Sequence, residues 1–163
     1  ARYPVDGLHL DYIRFPNDYH KGYDAMGGVP DYPRDSRTLA MFRRATGKSP
    51  DDDAIAWRNW RATQVNVLMK RLRDMVDRTK RGVALTTAVG ADPDRAFNGH
   101  YQDARKWITQ GWVDGVFTMN YASAMGEFEG RFAKWQPWMA QRPVATGIMF
   151  DQRDPSLVQP GCG

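Results

Sequence analysis

The opening run Val5-Asp6-Gly7-Leu8-His9-Leu10-Asp11-Tyr12-Ile13 alternates Leu8, Leu10 and Tyr12 with His9 and Asp11. That two-residue period reads as a β-strand whose end carries Asp11. From Phe15 to Arg37 the period gives way to Pro, Gly, Asp and Tyr, which predicts a long surface loop of the kind that often carries function. A short helix is predicted from Ser36 to Ala45, closed by Gly47, with Leu39 and Phe42 inward. Ser49-Pro50-Asp51-Asp52 then places a hydroxyl at a cap, a proline at the first helical position and acid in the first turn. The helix it starts should run from about Asp52 to Lys80, with Trp57, Trp60, Val67, Leu68, Leu72, Met75 and Val76 on one face, interrupted by Gln64 and Arg71. Gly82 ends it.

Val83 to Val89 is β-prone throughout, as in strands covered on both faces, and turn residues from Gly90 to Pro93 stop it. Tyr101 to Gln110 fits a helix with Tyr101, Ala104, Trp107 and Ile108 inward and Gly111 closing it. Val113 to Asn120 reads as a third strand, and Val144 to Phe150 as a fourth. Between them a helical pattern from Glu127 to Ala140 runs through Phe128, Phe132, Trp135 and Met139, with Pro137 forcing a kink or break.

Strands alternating with helices make parallel βαβ units, so the fold class is α/β. Four strands and three crossovers are half of an eight-stranded barrel of about 250 residues. The expectation is a partial (β/α)8 TIM barrel over residues 1–151 with a tail at 152–163; the alternative is an open parallel α/β sheet. Neither Gly-x-Gly-x-x-Gly nor a Walker-type loop occurs, which disfavours nucleotide binding.

A length of 163 residues suits one domain, and 42% hydrophobic with 12% aromatic residues is enough to build its core. No apolar run approaches the roughly 20 residues of a spanning helix, and the first residues lack a signal-peptide pattern. Lys and Arg number 23 against 19 acids, and they are scattered, which argues against a nucleic-acid partner. Cys162 is the only cysteine, so an intramolecular disulfide is excluded. No His-x-x-x-His or EF-hand spacing is present, and neither metal nor cofactor is expected. Acids at a helix start explain Asp51-Asp52-Asp53 better than a cation site does.

In barrels, chemistry gathers at the C-terminal ends of the strands. Those ends offer Asp11, Tyr12 and Arg14; Asp92 and Asp94; Asn120 and Tyr121; and Asp151. A carboxylate beside an aromatic ring and an arginine can serve as acid, base or nucleophile. The competing reading is a structural Asp–Arg pair stitching the loop. His9 lies two residues before Asp11 on the same strand face, placed to bond that carboxylate or substrate, or to be a satisfied core histidine. Tyr19, Tyr23 and Tyr32 among Asp18, His20, Asp24 and Asp31 suit sugar rings, which pair an apolar face with hydroxyl edges. Trp57, Trp60, Trp107 and Trp135 sit at helical spacing and read as core packing.

The run from Val5 to Pro16 resembles the strand signature of the glycosyl-hydrolase-like family 10 barrels. Trp60-Arg61, Tyr101-Gln102-Asp103-Ala104-Arg105-Lys106-Trp107 and Gly111-Trp112-Val113-Asp114-Gly115 follow in the family's order. The resemblance implies a (β/α)8 barrel, here about its fourth to seventh strands, hydrolysing glycosidic bonds of a polysaccharide. It also implies an exported or cell-envelope location and points to Asp11. Family 18 chitinases are more distantly similar: Asp6-Gly7, Asp11 and Met119-Asn120-Tyr121 match. Ile13, however, stands where their proton donor would be. Related barrels carry Pro-Gln-x-Tyr at the position of Met119-Asn120-Tyr121, so by resemblance Asn120 takes the glutamine's hydrogen-bonding part.

Glycoside hydrolysis generally uses two carboxyl groups, about 5 Å apart for retention and about 6.5 to 9.5 Å for inversion. The expected site has Asp11 as general acid or nucleophile, Arg14 tuning it, and His9, Tyr12, Asn120 and Tyr121 on the sugar. The second carboxylate is Asp151, Asp92 or a residue beyond these strands. Two competing functions are a non-catalytic glycan-binding barrel and an enzyme of small phosphorylated metabolites.

Overall fold

The computed structural model describes residues 4–15 and 31–148. Its strands are β1 (Gly7–Leu10), β2 (Ala84–Gly90), β3 (Gly115–Met119) and β4 (Val144–Thr146), all parallel and paired in the order β1-β2-β3-β4. The helices are α1 (Ser36–Thr46), α2 (Ala54–Thr79), α3 (Pro93–His100), α4 (Ala104–Thr109), α5 (Met125–Ala133) and α6 (Gln136–Met139). No described helix is long and apolar enough to cross a membrane.

Register decides which side chains share a face of the sheet. Leu10 stands beside Thr87, Thr87 beside Val116 and Val116 beside Val144. From this face Leu10, Leu85, Val89, Val116 and Val144 pack with helix residues that include Val65, Met69 and Val76 of α2 and Trp107 and Ile108 of α4. The opposite face carries His9, Thr86, Ala88, Phe117 and Ala145 and contributes to neither hydrophobic cluster; Phe117 on it is 47% exposed. Helices on one face and strands in sequence order are the arrangement of an arc of a (β/α)8 barrel. A doubly wound open sheet covers both faces and reverses its strand order.

The N-terminal end of the sheet is fastened by Asp114, whose Oδ2 accepts the Leu85 amide at 2.8 Å and Arg73 Nη1 at 2.9 Å. Arg73, its side chain only 11% exposed, would lack a counter-charge without Asp114 and its second partner Asp77.

The long helix α2 departs from its expected start and orientation. Asp53, not Ser49, is the N-cap, its Oδ1 accepting the Ala56 amide at 2.8 Å, while Ser49 bonds Asp52 in the preceding turn. Its buried stripe is Trp57, Arg61, Val65, Met69 and Val76 with Ala62 and Asn66. Val67, Leu68 and Met75, expected inward, are 37%, 47% and 47% exposed. The cause is polar burial: Arg61 Nη1 donates to the Tyr32 carbonyl at 3.1 Å, and Asn66 Oδ1 accepts the Trp107 indole N–H at 2.6 Å. Reading the face from hydropathy alone excludes such residues and rotates the helix toward solvent.

The turn signal at Gly90 to Pro93 is also the start of α3, absent from the sequence reading. Asp92 caps it, Pro93 sits in its first turn, and Tyr101, left-handed at φ 55°, closes it. The helix expected over Tyr101–Gln110 therefore begins later, at Asp103, which caps α4. Pro137 falls in the first turn of α6, and the expected break separates α5 from α6. Trp135 between them is fully buried and donates its indole N–H to the Ala91 carbonyl at 2.7 Å. Trp57 and Trp107 are buried as expected, with Trp60 stacked on Trp57 at 5.5 Å. The described part of the last strand is shorter than expected, and Phe150 lies outside the described residues.

Candidate active site

Beyond β1 the chain makes a tight turn. Asp11 Oδ1 accepts the Tyr12 amide at 2.7 Å, and the Arg14 amide donates to the Tyr12 carbonyl at 2.8 Å. Tyr12 takes φ 56°, a left-handed conformation unusual for a residue with a Cβ. The Phe15 amide then donates to the His100 carbonyl at 2.8 Å, and the Phe15 ring meets Tyr101 edge-on at 5.3 Å. The turn is thereby tied to the end of α3.

Asp11 and Tyr12 stand in solvent, while Arg14 is half-buried with its guanidinium 4.6 Å from the centre of the Tyr12 ring. Among the described residues no ion pair includes Asp11, so the structural Asp–Arg pair is not formed. The Arg14 charge rests on an aromatic face instead.

His9 lies on the face of the sheet opposite the hydrophobic clusters. Its Nδ1 is 2.9 Å from Thr86 Oγ1, and its ring meets Phe117 edge-on at 5.1 Å. It is partnered yet exposed, which separates it from a core histidine.

Asp92 does not fit the part of a second catalytic acid. Its Oδ1 accepts the Asp94 and Arg95 amides at 2.9 and 3.1 Å, and its Oδ2 accepts Lys134 Nζ at 2.6 Å. Burial pushes its pKa up, but Lys134 and the two amides outweigh burial and hold it below the usual carboxylate range. An acid so bonded is a helix cap and an ion-pair partner.

Asn120 also departs from the expected role. It is fully buried, and its Nδ2 donates to the Phe128 carbonyl at 2.9 Å, bracing the β3–α5 connection. It is withdrawn from the solvent that a sugar would come from. Tyr121 is 53% exposed and leans on Gly147, where an added Cβ would lie 3.2 Å from the ring. Two rings, Tyr12 and Tyr121, thus stand open at the ends of β1 and β3.

Asp151 lies outside the described residues, as do Asp18, Tyr19, His20, Tyr23 and Asp24. Asp31 and Tyr32 from the same loop are engaged in fastening: Asp31 Oδ1 accepts the Trp57 indole N–H at 2.7 Å, and Tyr32 holds Arg61.

Two residues beside the turn escaped the sequence reading. His100 is half-buried with an unpartnered, buried Nδ1; burial first, and then the Arg14 charge, lower its pKa and keep the ring neutral near pH 7. Gln102, 1% exposed, bonds both neighbouring strand ends. Its signal was its place in the Tyr101-Gln102-Asp103 run. Among the described residues no group of three or more His, Cys, Asp or Glu could hold a metal. A cavity lined by Asp77, Arg78, Thr79, Arg81 and Gly82 opens at the N-terminal end of β2, away from this turn.

The sequence model of the family described as Glycosyl hydrolase-like 10 matches residues 1–160. No curated protein matches the chain.

Proposed function

The chain belongs to the Glycosyl hydrolase-like 10 family, and from that premise we propose that it hydrolyses glycosidic bonds of a bacterial envelope or extracellular polysaccharide. In that reaction the bond from the anomeric carbon to the leaving oxygen breaks, and water supplies the new oxygen on that carbon. The water's proton is balanced by the one the leaving hydroxyl takes up. Asp11 acts as general acid or nucleophile. The exposed rings of Tyr12 and Tyr121 offer flat surfaces to sugar, and Arg14 holds the Tyr12 ring. The second carboxyl is Asp151 or one supplied from beyond these strands. The working location is exported or at the cell envelope.

The observation that carries this reading is the open carboxylate of Asp11 at the C-terminal end of β1, beside an exposed aromatic ring. The test is Asp11→Asn, assayed by reducing ends released from envelope polysaccharide. Cleavage should fall by at least about 10²-fold with melting unchanged. Wild-type cleavage by a folded variant removes Asp11 from the chemistry.

A non-catalytic glycan-binding barrel is the second reading. It is favoured by the commitment of both Asp92 oxygens to capping and to Lys134, which leaves Asp11 without Asp92 as a partner acid. Oligosaccharide binding seen by calorimetry without any new reducing ends would support it over hydrolysis.

A further inference from the structure

We propose that Gln102 is the positioning residue of the Asp11 turn. The catalytic part of this inference rests on the reading of Asp11 given above; the geometric part does not.

The ladder between β1 and β2 ends at the pair Leu10 and Thr87. Past that point β2 continues to Gly90 while β1 has turned away at Tyr12. Gln102 fills the gap with one planar amide. Its Oε1 accepts the Gly90 amide at 2.7 Å, and its Nε2 faces the carbonyls of Ala88 at 3.2 Å and Ile13 at 3.4 Å. One acceptor and one donor group are what a further strand residue would present, so the side chain stands in for missing backbone. Ile13 is two residues from Asp11, and the bond to its carbonyl fixes where the turn returns to the sheet.

The neighbours of Gln102 strengthen the tether without reaching that point. The His100 carbonyl and the Tyr101 ring hold Phe15. Asp103 caps α4 and accepts Asn66 Nδ2 at 3.2 Å, anchoring the strap to α2. Gln102 alone in this strap bonds the backbone of both strand ends. With the amide sealed from water, an unmade bond there has no solvent substitute.

The two substitutions separate positioning from mere support. Gln102→Met removes every polar contact. Gln102→Glu keeps the acceptor for Gly90 but has no donor for Ile13 until it is protonated. Burial raises that carboxyl's pKa, to as high as about 8 to 9 in fully buried sites, so the donor is lost only on the alkaline side of that range and returns as pH falls. The experiment is hydrogen exchange of peptide 11–15 in the full chain, each variant compared with wild type at the same pH. Steady-state release of reducing ends from envelope polysaccharide runs in parallel.

At about pH 9.5 the Glu variant should exchange about tenfold faster over 11–15, with α2 unchanged, and should approach wild type as pH is lowered toward neutral. Its kcat should fall by about 10²-fold while KM stays within about threefold, and kcat should recover on the same acidic side. Wild-type protection of 11–15 in Gln102→Glu at about pH 9.5, where the carboxyl is charged, overturns the geometric claim. A rise in KM at unchanged kcat, or kcat that does not recover with acid, overturns the catalytic one. If wild type itself releases no reducing ends, the glycosidase reading fails and with it the catalytic part, while the exchange result still decides the geometry. Should the Met variant not fold, the Glu variant decides alone.

Discussion

The guanidinium of Arg14 lies 4.6 Å from the centre of the Tyr12 ring, two residues back across a turn that puts Tyr12 at φ 56°. The stack holds an exposed ring upright in a backbone conformation that disfavours any residue with a Cβ, by roughly 1 kcal/mol or more. Tyr12→Gly therefore has opposite effects on two measurements. Thermal stability should hold or rise, by up to about 1 kcal/mol. Affinity for soluble envelope oligosaccharide should fall about tenfold, read by calorimetry. A clear loss of stability would show that the stack, not the backbone, dominates at this turn.

Asp92 predicts a pH dependence of stability. Its carboxyl is held below the ordinary range by Lys134 and two backbone amides against the opposing effect of burial. A carboxyl depressed in the folded state contributes stability that is fully present above its unfolded pKa of about 3.9 and is lost as pH falls through the folded value. Asp92→Ala should lower unfolding free energy in urea by about 1 kcal/mol or somewhat more at pH 7. The gap between variant and wild type should narrow below about pH 4, as the unfolded chain's carboxyl takes its proton first, and close as pH falls through the lower folded value. A gap independent of pH would assign the stabilisation to packing instead.

Gly90 is required for space. A Cβ there would lie 2.9 Å from the Ala96 Cβ and 3.7 Å from Gln102 Oε1. The Gln102 contact is ordinary, but the approach to Ala96 is too close, so α3 would have to move off the end of β2. Gly90→Ala should cost about 1 to 3 kcal/mol in denaturant unfolding, an overpacking effect. Gly99, with open space at its Cβ, is the control: Gly99→Ala should leave stability unchanged or slightly raised.

The strands were legible because Leu8, Leu10 and the run from Val83 to Val89 carry their periodicity in residue type alone. Helix α3 was not, because Asp92-Pro93 signals a turn and a helix start with the same residues, and only the tertiary contact of Ala96 with the Gly90 backbone distinguishes them. The same limit affected the α2 face: Arg61 and Asn66 are buried by partners, Tyr32 and Trp107, that lie far away in sequence. In the candidate site, Asp11, Tyr12 and Tyr121 are exposed beyond the ends of β1 and β3. Asp92 and Asn120 had equally suitable positions. What their positions did not reveal was the direction of their side chains, set by Lys134 and the Phe128 carbonyl.

The salt-bridged Asp114 secures the sheet at one end, whereas Asp11 and its turn occupy the other. The framework is thus insulated from its working edge. A lineage built on this plan is free to exchange rim residues, and so the molecules it accepts, while inheriting the same foundation.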